Sequence, residues 1–183
     1  MRKILVAFVL FTAVLATSLV GAGRTTADAA VSFISWPEDV IYVYDTTAAL
    51  KEKDGSPVWP VRAAAERWDD GNPVDFRYTT TGCPTDAQCV TVKQAELADP
   101  AAGTTATAFV GADIKSSDVT LDTTFGRKNA AAKRRNVVCH ELGHSLGLQH
   151  RTETSSCLTS YVTSEKYPDA TDVKNLKTMY GYR

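Results

Sequence analysis

The feature that most constrains the fold of this chain is the segment CHELGHSLGLQH, residues 139–150, which contains all three of its histidines. On an α-helix, His140 and His144 lie one turn apart on one face, with Cβ atoms about 5–6 Å apart, so both imidazoles can bind one ion. On a continuous helix, His150 would lie about 15 Å along the axis from His140. Because Gly147 can take the left-handed conformation that ends a helix, the spacing predicts a helix that stops there and a chain that turns back to bring His150 to the pair.

Apolar residues occupy the opposite side of the same predicted helix. Val138, Leu142 and Leu146 are spaced four apart, and their mean direction lies roughly 180° from that of the two helical histidines. One face therefore packs on a core while the other presents the histidines. Glu141 projects beside the histidine face, where a carboxylate can take a proton from a water whose pKa a metal has lowered toward about 7.

The first 29 residues are typical of a secretory signal peptide. Two basic residues precede an apolar run, Ile4 to Val20, and the segment ADA at 27–29 matches an A-x-A cleavage site. An uncleaved membrane anchor is the alternative, because the apolar run is slightly long for a signal peptide. We therefore predict a signal peptide over residues 1–29, one domain over residues 30–183 and a secreted, extracellular protein.

The charge of the mature chain gives no reason to expect a nucleic-acid or membrane partner. Residues 1–29 contain three of the 20 basic and one of the 21 acidic residues, which leaves 17 basic and 20 acidic residues and a net charge of −3. This weak negative balance favours neither nucleic acid nor an anionic membrane surface. We expect no binding to nucleic acid, no stable membrane association and a monomer.

Four cysteines in an exported chain favour two disulfides, for which three pairings are open. We favour Cys83–Cys89, which closes a small loop, and Cys139–Cys157, which ties the histidine helix to the segment that follows it. The second bridge would stabilise the fold by about 3 kcal/mol in the loop-entropy description.

The remaining pattern predicts one mixed α/β domain. Five segments have the β-branched or alternating character of strands: Val40 to Tyr44, Val74 to Thr80, Cys89 to Lys93, Thr105 to Val110 and Asp118 to Thr123. Three helices are predicted, one that starts within Ser56 to Pro60 and ends at Gly71, one from about Asn129 to Gly147, and one from about Asp169 to Gly181, with Val173, Leu176 and Tyr180 as its apolar stripe.

The run HELGHSLGLQH matches H-E-x-x-H-x-x-G-x-x-H, and the chain resembles the metzincin zinc proteases, most of all their matrixin-like branch. Looser support comes from RAAAERW as the first helix, FRYTT as the following strand and DVTLD before the histidine helix. The resemblance implies a metzincin-like domain of α/β (α+β) class, with a twisted mixed sheet of about five strands, a long active-site helix and a C-terminal helix.

By this resemblance, His140, His144 and His150 would bind one catalytic zinc ion, and Glu141 would be the general base that activates water for the hydrolysis of peptide bonds. A polypeptide substrate would add as a strand at the edge of the cleft, beside Asp118 to Thr123. Matrix metalloproteinases also hold a second, structural zinc largely through histidine. Since this chain has no further histidine, we expect a single zinc.

The chain departs from the family at the methionine that metzincins place in a turn beneath the zinc. Its methionines are Met1 and Met179, and Leu158 stands where that methionine is expected, as an apolar substitute of similar volume. Tyr161 is either a packed loop residue, which we favour, or a group that assists at the oxyanion. We expect the specificity pocket to be lined by residues within Leu158 to Tyr167.

Other ligand sets are weaker. Glu165 could replace His150 as the third zinc ligand on a later helix, but Pro168 disfavours a helix through that stretch. Asp113 and Asp118 offer oxygen ligands for calcium, but no calcium-loop pattern accompanies them. If the histidines are the ligands, activity should fade below about pH 6 as they take up protons and release the metal.

The alternative function is a catalytically silent, secreted binding module that keeps zinc only for stability. A structural zinc site has no use for a carboxylate at Glu141, and it usually fills its fourth position with a protein ligand, which is not evident here. The segment GCPTD at 82–86 faintly resembles the cysteine switch that silences matrixins, but its cysteine is better explained by the disulfide to Cys89.

Overall fold

The computed structural model describes residues 34–98, 100–165 and 167–181, so the predicted signal peptide lies outside the described residues. Within them a single five-stranded sheet is accompanied by four helices. In chain order the elements are β1 (Val40–Asp45), α1 (Val61–Asp69), β2 (Asp75–Thr79), β3 (Cys89–Ala95), β4 (Gly103–Val110), β5 (Asp113–Asp122), α2 (Thr123–Lys128), α3 (Ala131–Ser145) and α4 (Ala170–Tyr180). The predicted α/β class, the five strands and the three helices are confirmed, and α2 is an additional helix.

The sheet is mixed, with the strand order β2-β1-β3-β5-β4. β1 pairs in parallel with β2 and β3, β3 pairs in parallel with β5, and β4 runs antiparallel to β5. Both sides of β5 are therefore occupied, and the predicted place for a substrate strand beside Asp118 to Thr123 is wrong. The edge on this side of the sheet is β4.

Helix α3 crosses the core and is fixed there by two tryptophans. The indole Nε1 of Trp68, on α1, donates to the carbonyl of Cys139 at 2.9 Å, and that of Trp36 donates to the carbonyl of Ser145 at 2.8 Å. Both indoles are fully buried, so these two bonds are made in an apolar interior where an unpaired indole N–H would be costly. The predicted apolar face of α3 is fully buried, as expected: Val138, Leu142 and Leu146.

Helix α4 begins with the predicted cap. The side chain of Asp169 accepts from the N–H groups of Thr171 and Asp172, and the Asp172 side chain accepts from the N–H of Asp169, a reciprocal capping box. Leu176 and Tyr180 of the predicted stripe are buried, whereas Val173 is only half-buried. None of the described helices combines the length and the apolar character needed to cross a membrane.

Both favoured disulfides are present. Cys83 pairs with Cys89 across Cα atoms 6.1 Å apart, and Cys139 pairs with Cys157 across Cα atoms 6.0 Å apart. The second bridge joins the middle of α3 to the loop between α3 and α4.

Candidate metal centre

The histidine helix ends where its glycine predicts. Gly147 has a φ of +90°, its N–H donates to the carbonyl of His144 at 2.9 Å, and the N–H of Leu148 donates to the carbonyl of Gly143 at 3.2 Å. These two bonds form the helix-ending pattern in which a left-handed residue reverses the chain. A Cβ at Gly147 would lie 2.3 Å from the carbonyl oxygen of Ile34, so the position excludes a side chain both by its backbone angle and by contact.

The reversal brings the three imidazoles together. The Nε2 atom of His140 lies 3.0 Å from that of His144 and 3.1 Å from that of His150. Among the described residues, these three side chains form a group in which one ligand atom from each lies within 4.8 Å of the others. Glu165 is outside this group, and its carbonyl oxygen instead accepts from Asn136 at 2.5 Å.

The hydrogen bonds at the far side of two rings fix which nitrogen faces the centre. The Nδ1 atom of His140 lies 2.9 Å from the carbonyl oxygen of Cys157, and that of His144 lies 2.8 Å from the carbonyl oxygen of Leu148. Because a carbonyl only accepts, each Nδ1 carries the proton and each Nε2 presents a lone pair to its neighbour. Carbonyl partners of this kind are typical of histidines that ligate metals.

The protonation of the cluster decides what it can hold. Burial lowers the pKa of His140 to about 4, assisted by the charge of His144 and opposed by the bond to Cys157, and burial also lowers the pKa of His144. Both rings are therefore neutral near pH 7, and neither of the two facing Nε2 atoms carries a proton. Three neutral imidazole nitrogens are a donor set that suits zinc and leaves its fourth coordination position free. The residues therefore fit the predicted metal.

The disulfide also orients a candidate ligand. Cys139 and His140 are consecutive on α3, and both contact Cys157, the first through the disulfide and the second through the Cys157 carbonyl. The covalent bridge therefore holds in place the carbonyl that directs the His140 ring.

Glu141 lines the same cleft and is more buried than the histidines. Its residue is 5% exposed, and its Oε2 accepts from the Thr105 hydroxyl at 2.6 Å. Burial raises the pKa of Glu141 to about 7, and the hydrogen bond from Thr105 acts in the opposite direction. No pattern in the sequence indicated a role for Thr105, which was predicted only to lie in a strand.

A cavity of about 640 Å³ opens over these groups. Its walls are the start of β4 with the preceding segment, the cleft side of α3, and residues 159–162 of the loop after it. A larger cavity of about 950 Å³ lies beyond the ends of β1 and β2 and includes none of the histidines. Donor chemistry, rather than size, identifies the smaller cavity as the candidate site.

The loop that lines this cavity bears on two predictions. Thr159, Ser160, Tyr161 and Val162 fall within the predicted pocket segment. Tyr161 is 58% exposed, so the favoured prediction of a packed tyrosine is wrong. Leu158, the residue at the expected methionine position, is 1% exposed and lies beneath α3, where a Cβ at Gly143 would meet its Cδ2 at 2.6 Å.

Asn136 is a second residue that the sequence did not single out. One turn before His140, its side-chain amide donates to the Thr163 hydroxyl at 3.2 Å and to the Glu165 carbonyl, while its Oδ1 accepts from the Thr163 N–H at 3.1 Å. These bonds tie the pocket loop to α3. A buried asparagine within a helix is the signal that could have indicated a polar partner from another segment.

The aspartates considered for calcium have other partners. Asp113 lies 3.2 Å from the ammonium of Lys115, and Asp118 lies 3.4 Å from that of Lys93. Both aspartates belong to β5 and not to loops, so the geometry adds nothing in favour of a calcium site.

Comparison with known proteins agrees with this geometry. The family model described as matrixin matches residues 36–181. The chain belongs to the matrixin family. Membership indicates a zinc metalloprotease in general, and the three-histidine cluster of this matrixin lies within the matched residues and could hold the metal.

Structural comparison supports the fold. A chain in the GM1-bound form of the ECX AB5 holotoxin superposes with a TM-score of 0.55 at 14% identity, covering 87% of this matrixin and 92% of that chain. It is one of 132 matching chains among solved structures, and at such low identity the likeness concerns the fold alone. A sequence search of curated proteins gave no match.

Proposed function

We propose that this matrixin is a secreted zinc-dependent endopeptidase that hydrolyses peptide bonds with Glu141 as general base. The observation that carries the proposal is the convergence of three imidazole Nε2 positions beside a buried carboxylate at the edge of a sheet. A structural zinc site would gain nothing from the carboxylate or from the open cleft.

His140, His144 and His150 would hold the zinc, each through Nε2. Zinc bound there would supply Lewis-acid polarisation of the scissile carbonyl and would lower the pKa of water. The Cys157 and Leu148 carbonyls keep the first two rings oriented before any ion arrives, because they accept from the opposite ring nitrogens.

Glu141 takes the proton from the attacking water and returns it to the leaving amine. A base works best when its pKa is near the operating pH, and burial raises the pKa of Glu141 to about 7. The same burial excludes bulk water from the carboxylate, so the proton taken from the nucleophile stays within the cleft.

The substrate is a polypeptide that adds to β4. β4 is an edge strand, and Gly103, Thr104 and Thr105 at its start line the same cavity as the histidines. An extended peptide on this edge would be held by backbone hydrogen bonds, and its scissile bond would lie over the metal centre. A substrate side chain would enter the cavity toward Val137 and Val162.

Secretion is supported by the composition of the N-terminal segment and by the two disulfides. Both disulfides are formed, and disulfides persist in oxidising compartments outside the cytosol. Residues 1–29 would be removed as the signal peptide, and residues 30–183 would form the catalytic domain.

The test compares wild type with Glu141→Gln, which keeps the size and hydrogen bonding of the side chain but removes the base. We expect wild type to digest casein, and the variant to retain zinc while its rate falls by about 10²–10⁴-fold. Zinc content by atomic absorption separates loss of the base from loss of the metal. Equal inertness of both proteins with zinc retained would favour the silent binding module.

A further inference from the structure

The start of β4 encloses the carboxylate of Glu141. The hydroxyl Oγ1 of Thr105 lies 2.6 Å from Glu141 Oε2 and 3.0 Å from the Glu141 carbonyl oxygen. Among the described residues, Thr105 is the one side chain that hydrogen-bonds this carboxylate. The carboxylate is therefore held from the strand side of the cleft and not from its own helix.

The distances indicate where the single hydroxyl proton goes. A separation of 2.6 Å is typical of an O–H group that donates to a carboxylate, whereas the 3.0 Å contact to the carbonyl is longer than a usual O–H···O bond. Thr105 is β-branched and its backbone belongs to a strand, so its side-chain rotation is restricted. The donor is consequently fixed in direction as well as in distance.

Gly103 confines the other carboxylate oxygen. A Cβ at Gly103 would lie 2.8 Å from Glu141 Cγ and 2.9 Å from Glu141 Oε1. Gly103 and Thr105 are two residues apart and therefore share one face of β4. The strand thus approaches Glu141 at its glycine and binds it at its threonine.

We propose that Thr105 is a positioning residue of the peptidase reaction, whose hydroxyl holds the Glu141 carboxylate in the orientation in which it takes the proton from water. The inference rests on the proposed function. β4 then has two roles, because its backbone receives the substrate and its Thr105 side chain orients the base against that same substrate.

The experiment uses a matched pair of threonines. Thr105→Val removes the hydroxyl at nearly constant shape, and Thr105→Ser retains it. Thr107→Val is the control, since Thr107 lies two residues further along the same face and its hydroxyl bonds to Ser117 at 3.1 Å, away from Glu141. We expect Thr105→Val to lower kcat about ten-fold or more with KM nearly unchanged, and Thr105→Ser and Thr107→Val to keep kcat near wild type.

A second measurement does not require activity. In metal-free protein, the infrared difference between wild type and Glu141→Gln isolates the Glu141 carboxyl bands, and the same difference recorded in each threonine background reports its hydrogen bonding. The bands should shift in the Thr105→Val background and stay in place in the Thr107→Val background. If Thr105→Val does not fold, the pair Thr105→Ala and Thr105→Ser makes the same comparison.

The outcomes separate the two proposals. Full kcat in Thr105→Val, or equal losses in Thr105→Val and Thr107→Val, would overturn the role of Thr105 and leave the peptidase intact. Unshifted carboxyl bands in the Thr105→Val background would overturn it as well. A wild type that holds zinc but cleaves no peptide would reject the proposed function instead, and the infrared comparison would still decide whether Thr105 holds the carboxylate.

Discussion

Two clusters hold the loop that follows Gly147, and they are built in opposite ways. In the histidine cluster, imidazole Nε2 atoms face one another: that of His140 lies 3.0 Å from that of His144 and 3.1 Å from that of His150. In the Arg151 cluster, opposite charges meet: Arg151, 4% exposed, contacts Asp169 and also Asp172 at 3.1 Å, and the Ser156 hydroxyl donates to Asp172 at 2.6 Å. The opposite charges of the second cluster compensate one another, whereas the facing nitrogens of the first form a site for a metal ion.

The contrast shows that the loop beside the histidines is held by contacts that do not involve the metal. Arg151 directly follows His150, so the ion pairs to α4 fix the backbone beside the third candidate ligand. Natural sequences depart from local complementarity mainly at functional sites and compensate nearby. We therefore expect loss of one cluster to remove metal binding and loss of the other to remove stability.

The largest effect is expected for His150→Ala. With two imidazoles left on α3, the site has too few ligands for tight binding, so zinc retained after dialysis should fall from one per chain to near zero. Glu165→Ala is the control, because its carboxylate is outside the cluster. Retention of zinc by His150→Ala together with its loss from Glu165→Ala would reverse the ligand assignment. Metal-free His150→Ala should unfold at nearly the same urea concentration as metal-free wild type.

Whereas His150→Ala should lower metal binding, Arg151→Leu should lower the stability of the fold. It leaves the carboxylates of Asp169 and Asp172 at a buried site without their cation, which typically costs about 3–5 kcal/mol. Arg77→Leu, which breaks an exposed pair with Asp75 of 2.8 Å, should cost at most about 1 kcal/mol. Urea unfolding of the metal-free proteins measures both free energies. Similar costs for the two variants would show that the Arg151 cluster contributes no more to stability than an exposed ion pair.

The pH dependence of metal-free stability separates the clusters again. Burial holds the pKa of folded His140 at about 4, against 6.5 for an ordinary histidine, and the pKa of His144 is lowered in the same direction. His140 then binds more protons in the unfolded chain between pH 6.5 and 4, so its contribution to stability should fall as the pH drops through that window, by up to about 3 kcal/mol. The protonation that was expected to begin below about pH 6 is thus displaced downward for these two rings. Glu141 acts in the opposite direction, because burial raises its pKa to about 7.

Within the Arg151 cluster, Asp169 should lose its contribution at lower pH, whereas burial raises the pKa of Asp172 and gives it the opposite dependence. Burial opposes ionisation of Asp169, but hydrogen bonds from the Asp172 N–H, Ser155 and Arg151 lower its pKa below 3.8. A lowered carboxyl pKa stabilises the fold above the unfolded value, and this stabilisation is lost only as the pH falls through the folded value. Urea unfolding of chelator-treated Glu141→Gln, which lacks the opposing titration of Glu141, at pH 7.5, 6, 5 and 4 should therefore show its main loss above pH 4. Constant stability across that range would contradict the histidine assignment.

Local chemistry predicted the parts of this molecule that depend on neighbours in sequence. Gly147 required a reversal, the cysteine spacing indicated both bridges, and β-branched or alternating segments located all five strands to within about five residues. β5 begins at Asp113, five residues earlier than predicted, because its first half pairs with β4 across a hairpin and does not depend on alternation. α2 was missed although Asp122 caps it and was present as a start signal.

The order of the strands and the surroundings of Glu141 depend on distant contacts. Periodicity identifies a strand but does not state which neighbours it takes, so β5 was expected at an edge that β4 in fact occupies. Thr105 reaches Glu141 across a sequence separation of 36 residues. A threonine in a strand is ordinary, and only the fold shows that this one contacts the proposed base.

The smallest effect is expected for Leu158→Met, which restores the family's methionine. Leu158 contributes to the site through its backbone: its carbonyl accepts from the Arg151 N–H at 2.9 Å, and its N–H donates to the Ser156 hydroxyl at 2.9 Å. Neither bond involves the side chain, whose task is to fill space beneath Gly143. Leucine and methionine have similar volumes, so the exchange should cost less than about 1.5 kcal/mol and leave zinc content and kcat unchanged.

Leu176→Met is the matched control for this exchange, because Leu176 is fully buried on α4 outside the metal cavity. Equal small costs at both positions would show that the floor of the site requires volume alone. A clear change in kcat for Leu158→Met, with Leu176→Met unaffected, would show that the sulfur itself acts on the metal centre. The histidine cluster would then depend on which atoms residue 158 places beneath it. The loop would be constrained by that side chain as well as by the ion pairs of Arg151.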